Sequence, residues 1–256
     1  MLADLVAGAL QDAERRRADR PLAVVEAAAA DRAPALDALA ALSPAERVKI
    51  IAEVKRSSPS RGALAEIADP AALAVSYQTG GASAISVLTE ERRFNGSLAD
   101  LEAVRAAVSI PVLRKEFIAD PYQVFEARAA GADLVLLIVA ALDQKSMVSL
   151  YELITSLGMT ALVEAHSADE LSRALDTGAG LVGVNARNLS TFELDRDLFG
   201  RLADSIPSGV IRVAESAVKT AADVAHYRAA GADVVLVGEA LVTSDPVATL
   251  EEFLVV

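Results

Sequence analysis

Five ionisable side chains stand at the ends of short apolar runs: Glu53 and Lys55 close Lys49 to Lys55, Lys115 closes Pro111 to Lys115, Glu164 closes Thr160 to Glu164, and Glu215 closes Ile211 to Glu215. Asn185 ends Leu181 to Asn185 in the same manner. One such charge only marks where a buried run emerges into solvent. Several together are harder to explain that way, because withdrawing charge from water costs on the order of several kcal/mol per ion unless the ions are paired or used. Lysines and glutamates gathered in a dry pocket shift one another's proton affinity and so supply an acid and a base near neutral pH. The chemistry suggested is proton transfer.

Other residues could complete a site. The loop Lys55-Arg56-Ser57-Ser58-Pro59-Ser60-Arg61-Gly62 concentrates cations and hydroxyls, which suits capture of an anion, although a solvated turn has a similar composition. Phe94 and Phe117 lie close to the charged run ends in a chain with six phenylalanines, and they suit the wall of a flat apolar ligand or core packing. The two histidines, His166 and His226, show no metal-ligand spacing and are read as surface or packing residues, so no metal is expected.

These residues need elements to position them. Eight apolar runs of strand length occur: the five above with Ala84 to Leu88, Asp133 to Ile138 and Asp233 to Val237. Each gap between them holds one amphipathic helix, as at Ser97 to Val108 and Ala222 to Ala230, and such alternation is the mark of a parallel sheet. Gly81-Ala82, Gly131-Ala132, Gly178-Ala179 and Gly231-Ala232 recur at spacings of 50, 47 and 53 residues, each just before a strand. The phrase marks a double β-α unit or a glycine ending each helix, and both readings give eight strands. Eight parallel strands close most readily into an α/β (β/α)8 TIM barrel, with an open doubly wound sheet as the alternative. Strand alternation puts Ile51, Glu53 and Lys55 on one face, with both charges aimed into the barrel mouth. Residues 1–46, Ala-rich and cut by Pro21, Pro34 and Pro44, are expected to form a helical N-terminal extension on a single domain covering 1–256.

A barrel holds phosphate in the loops after its seventh and eighth strands. Here they begin Glu215-Ser216-Ala217 and Gly238-Glu239-Ala240. Gly238 allows close approach of the backbone but is equally an ordinary turn residue. Composition excludes other classes. With no cysteine, disulfides and thiolate chemistry are ruled out. A net charge of −12 with no basic stripe argues against nucleic acid. No apolar stretch free of charge reaches membrane-spanning length, and the N-terminus lacks the order of a secretion signal. A cytoplasmic monomer acting on a small anionic molecule is expected.

The run Ile51-Ala52-Glu53-Val54-Lys55-Arg56-Ser57-Ser58-Pro59-Ser60 resembles the signature of the indole-3-glycerol-phosphate synthase family. Leu113-Arg114-Lys115-Glu116-Phe117, Leu162-Val163-Glu164, Val184-Asn185-Ala186-Arg187-Asn188-Leu189 and Val213-Ala214-Glu215-Ser216 resemble further blocks in the same order. The resemblance covers nearly the whole chain. It implies tryptophan biosynthesis: ring closure, decarboxylation and dehydration of the phosphorylated anthranilate substrate 1-(2-carboxyphenylamino)-1-deoxyribulose 5-phosphate, with no cofactor. It implies Lys115 as general acid, Glu164 as base, Lys55 as substrate holder and second donor, Glu53 as their partner, and Asn185 and Glu215 as orienting groups. Ser58 and Arg187 would touch substrate, Phe94, Phe117 and Leu189 would line the anthranilate pocket, and Ser216, Ala217, Gly238 and Glu239 would hold phosphate. Ala217 departs from the family's usual glycine, and a left-handed backbone there would cost on the order of 1 kcal/mol. Asn188 replaces a frequent Asp without expected effect. Phosphoribosylanthranilate isomerase, a barrel that relies on a cysteine, and a catalytically silent phosphate-binding barrel are the alternatives.

Overall fold

The apolar runs form eight parallel strands: β1 (Lys49–Val54), β2 (Ala84–Leu88), β3 (Val112–Lys115), β4 (Leu134–Ile138), β5 (Thr160–Ala165), β6 (Leu181–Asn185), β7 (Ile211–Glu215) and β8 (Val234–Val237). They close into a barrel in which β1 pairs with both β2 and β8, which disposes of the open sheet. The structure is a computed structural model and describes residues 1–59, 62–189 and 191–256, so Ser60, Arg61 and Ser190 lie outside it.

Period-two alternation divides each strand. Ile51, Ala84, Leu113, Leu134, Leu136, Leu162, Leu181, Val213 and Leu236 fill the barrel interior. Ile50, Ile85, Val135, Leu137, Val163, Val182 and Val235 face outward into the core shared with the helices. Those helices are α4 (Pro70–Thr79), α5 (Leu98–Ala107), α6 (Pro121–Ala130), α7 (Gln144–Ser156), α8 (Ala168–Leu175), α9 (Leu198–Ala203), α10 (Ala221–Ala229), α11 (Glu239–Val242) and α12 (Pro246–Leu254). Their starts are chemically marked: Asp69, Ser97, Asp120, Asp143 and Ser167 each accept a backbone N–H of the first turn. Gly81, Gly131, Gly178 and Gly231 have φ of 95°, 92°, 79° and 96°, so the repeated phrase places a left-handed residue between helix and strand.

The N-terminal extension comprises α1 (Leu2–Asp19), α2 (Leu22–Ala30) and α3 (Ala38–Leu42), interrupted around the three prolines. Ala38 and Leu42 of α3 pack in one cluster with Ala84 and Leu181, the first residues of β2 and β6, and so cover the end where strands begin. Leu5 of α1 belongs to the cluster of Phe117. A buried network fixes α1 to the barrel: Glu126 on α6 accepts from Arg16 at 2.6 and 2.9 Å and from fully buried Arg114 at 2.9 Å. Arg92, in the loop after β2, grips Asp12 of α1 at 2.8 and 2.9 Å.

Candidate active site

Where the strands end, a cavity of about 260 Å³ opens, and all fifteen residues singled out from the sequence line it. Glu53 and Lys55 come from β1 and the residue after it, Lys115 from β3, Glu164 from β5, Asn185 from β6 and Glu215 from β7. Ser58 belongs to a short hairpin, Ser57–Ser58 with Gly62–Ala63, which the sequence reading left as irregular loop. Phe94 and Phe117 form one wall, with ring centroids 6.2 Å apart and planes at 45°. Arg187 and Leu189 follow β6, Ser216 and Ala217 follow β7, and Gly238 and Glu239 follow β8. Leu5 of α1 reaches the same cavity, so the extension takes part in enclosing it.

The charges are interleaved. Lys55 Nζ lies 2.5 Å from Glu53 Oε2, while Lys115 Nζ lies 3.3 Å from Glu164 Oε2 and 3.6 Å from Glu215 Oε2. Burial alone would drive the proton off Lys115, but the acidic groups beside it, the Glu164 carboxylate first, outweigh it and raise its pKa. Burial likewise pushes Glu164 up, and the charges of Lys115 and His166 reverse this and hold it below the usual carboxylate range. Glu215 goes the other way: burial and the neighbouring Glu164 charge keep it well above that range, against the pull of Lys115. Two carboxyl groups in one pocket are thereby divided, one ionised and one favouring its proton.

Glycines make the room. A Cβ on Gly183 of β6 would stand 2.1 Å from Glu215 Oε1, and one on Gly238 would stand 2.5 Å from Glu53 Oε2 and 3.0 Å from Lys55 Nζ. Gly238 therefore gives way to the β1 ion pair, a reason that spacing alone did not supply. On the adjacent loop after β7, Ser216 and Ala217 both have left-handed backbones, φ 70° and 59°. Ser216 Oγ donates to Asn185 Oδ1 at 2.8 Å, and that oxygen also accepts the Arg187 N–H at 3.0 Å, joining three cavity residues. Asn188 Oδ1 accepts the Thr191 N–H at 3.0 Å, a role an Asp oxygen would fill equally.

Two readings of the sequence are corrected. The loop after β1 is not a free cluster of cations: Arg56 is bound to Asp100 of α5 and to the Ile67 carbonyl, and the Ser57 hydroxyl donates to the Gly62 carbonyl. Of its other cations, Lys55 is paired with Glu53 and lines the cavity with Ser58, and Arg61 lies outside the described residues together with Ser60. His166 is not an ordinary surface or packing residue. Its Nε2 lies 3.2 Å from Glu164 Oε1 and its Nδ1 3.0 Å from Glu170 Oε2. The signal was available, since His166 follows Glu164 by two and alternation turns both to the same side; metal-ligand spacing does not reveal it.

A closed eight-stranded barrel with paired lysines and glutamates at the C-terminal mouth, where such barrels carry their active sites, defines a (β/α)8-barrel enzyme. The family model for indole-3-glycerol phosphate synthase matches residues 2–253, and the chain belongs to that family. An indole-3-glycerol phosphate synthase of Leifsonia xyli subsp. xyli is 81% identical over 99% of this chain and 97% of its own length. One from Beutenbergia cavernae is 60% identical, covering 95% of this chain and 90% of the relative. Among solved structures, thiamine phosphate pyrophosphorylase from Pyrococcus furiosus superposes with a TM-score of 0.60 at 15% identity, over 80% of this chain and 93% of that one. N-acetylmannosamine-6-phosphate 2-epimerase from Clostridium perfringens does so with a TM-score of 0.59 at 14% identity, over 75% and 86%. At such identities the likeness is one of fold alone.

Proposed function

We propose that the mouth of this barrel converts 1-(2-carboxyphenylamino)-1-deoxyribulose 5-phosphate to indole-3-glycerol phosphate, carbon dioxide and water. The chain is a carboxy-lyase of tryptophan biosynthesis by its family. The observation that carries the residue roles is the buried cation between two carboxyl groups, Lys115 between Glu164 and Glu215.

Ring closure begins when the aromatic carbon bearing the carboxylate attacks the ketone carbon. Negative charge gathers on the ketone oxygen, and Lys115 gives it a proton. The raised pKa of Lys115 keeps that proton in place until the developing alkoxide, a much stronger base, arrives. Departure of the proton removes the main positive charge that keeps Glu164 acidic, so Glu164 becomes a better base as the reaction advances. Loss of carbon dioxide restores the aromatic ring. Lys55 then protonates the departing hydroxyl while Glu164 takes the proton released as the new double bond forms, and water leaves. Glu53 holds Lys55 by charge, and Asn185 and Glu215 orient the substrate.

Phe94, Phe117 and Leu189 form the wall for the anthranilate ring, Ser58 and Arg187 contact the substrate, and Ser216, Ala217, Gly238 and Glu239 receive its phosphate. The cavity is lined by both charged and aromatic side chains, as this amphipathic substrate requires. Cytoplasmic residence, action as a monomer and organisation as a single domain over 1–256 belong to the same reading. Among the described residues no helix is long and apolar enough to cross a membrane.

The test is a fluorescence assay with this substrate in the presence of a metal chelator. The chain has no tryptophan, so indole emission stands on a dark background. Emission that grows with protein and ignores the chelator supports the proposal. A flat trace from folded protein that still binds the substrate would replace it with a silent phosphate-binding barrel.

A further inference from the structure

His166 stands behind Glu164 rather than in the cavity. Its ring is 8% exposed, and neither it nor Glu170 is among the residues that line the site. The imidazole lies between two carboxylates, with Nε2 3.2 Å from Glu164 Oε1 and Nδ1 3.0 Å from Glu170 Oε2. The first is a charge contact rather than an aligned hydrogen bond. Glu170 Oε2 also accepts the His166 backbone N–H at 2.8 Å, so one carboxylate fixes both the backbone and the ring. Glu164 is thus divided between partners: Oε1 faces His166 and Oε2 faces Lys115.

We propose that His166, held by Glu170, is a positioning residue that keeps Glu164 ionised and leaves Oε2 as the oxygen that takes the proton. The assignment rests on the reading of Glu164 as the base. A neutral imidazole would serve poorly here, since it offers no charge to a carboxylate already desolvated by the barrel. The surroundings supply the charge. Glu164 and Glu170 are the groups that face the ring, and Glu164 in turn interacts with Lys115 of β3 and Glu215 of β7. The 3-10 turn Val139–Ala141 packs against β5 and α8 and carries no titratable side chain. Burial works against the imidazolium, but the two carboxylates outweigh it and lift the pKa to about 10, so the ring is a cation at neutral pH.

The test compares kcat–pH profiles of wild type, His166→Gln and Glu164→Gln. Removing the cation moves the acid limb of kcat upward by about one pH unit or more, while KM stays within about twofold because the ring does not touch substrate. An acid limb that stays in place in His166→Gln, with Glu164→Gln inactive, overturns the inference and leaves Glu164 as base. Near-wild-type turnover in Glu164→Gln overturns both. Should His166→Gln not fold, NMR titration of the wild-type imidazoles decides the matter, because the chain has two histidines and a His226→Gln variant assigns them. A His166 ring still protonated at pH 8 supports the proposal, and a ring neutral by pH 8 overturns it.

Discussion

At Ala217 the backbone holds φ 59°, directly after Ser216 at 70°, so two residues bearing a Cβ occupy a conformation that glycine adopts without steric cost. Ser216 is anchored there by its hydroxyl on Asn185 and by the Tyr227 hydroxyl donating to its carbonyl at 3.2 Å. Ala217 has no comparable polar tether in its side chain. Ala217→Gly is therefore expected to relieve strain of about 1 kcal/mol, partly offset by the greater freedom of glycine in the unfolded chain. Thermal melting should show an unchanged or slightly raised midpoint, and steady-state kinetics an unchanged kcat with KM equal to or below that of the parent. A raised KM would show that the methyl group itself serves the phosphate site. This strain was legible in the sequence, because the motif around Glu215-Ser216 pointed to the position. The second role of Gly238 was not: its closeness to Glu53 and Lys55 depends on the pairing of β1 with β8, which no local pattern contains.

Strands and helices were more legible than the contacts between them. All eight strands stand where apolar runs of strand length occur, with boundaries moved by one residue at Lys55, Pro111, Asp133, Ala165 and Asp233. Pro111 has no N–H to give a ladder, and Asp133, whose backbone still bonds to Val112 and Thr160, also accepts at its carboxylate from Leu36, Arg105 and Val112. The hairpin at Ser57–Ala63 escaped the sequence because two-residue strands have no detectable period. The network of Arg114, Glu126 and Arg16 escaped because Arg16 joins it from 110 residues away in the chain. Between β6 and β7 a single missing atom decides the site: Gly183→Ala would set a methyl 2.1 Å from Glu215 Oε1. That carboxyl must swing toward Lys115 or out of the cavity. We expect kcat to fall by about tenfold or more, with far-UV circular dichroism retaining the barrel signature. Wild-type turnover from the folded variant would mean that Glu215 has no positional role.

Across the whole molecule, the charge cluster ties stability to pH. The His166 pKa is raised from 6.5 to about 10 in the fold, so its contribution is complete below pH 6.5, declines above it and is gone once pH passes about 10. Glu164 is lowered below 4.5, so its contribution is present above that value and is lost as pH falls further toward the folded pKa. Melting midpoints of wild type and His166→Gln should accordingly differ most at pH 6 and converge toward pH 10; a difference that stays constant across this range would contradict the raised pKa. The central claim, that proton transfer from the buried Lys115 drives ring closure, is tested most directly by single turnover of the carboxyphenylamino-deoxyribulose phosphate on Lys115→Met. Binding of the substrate with a rate lowered by about a hundredfold to ten-thousandfold is the predicted result. Turnover at the wild-type rate would remove Lys115 from the chemistry and the account with it.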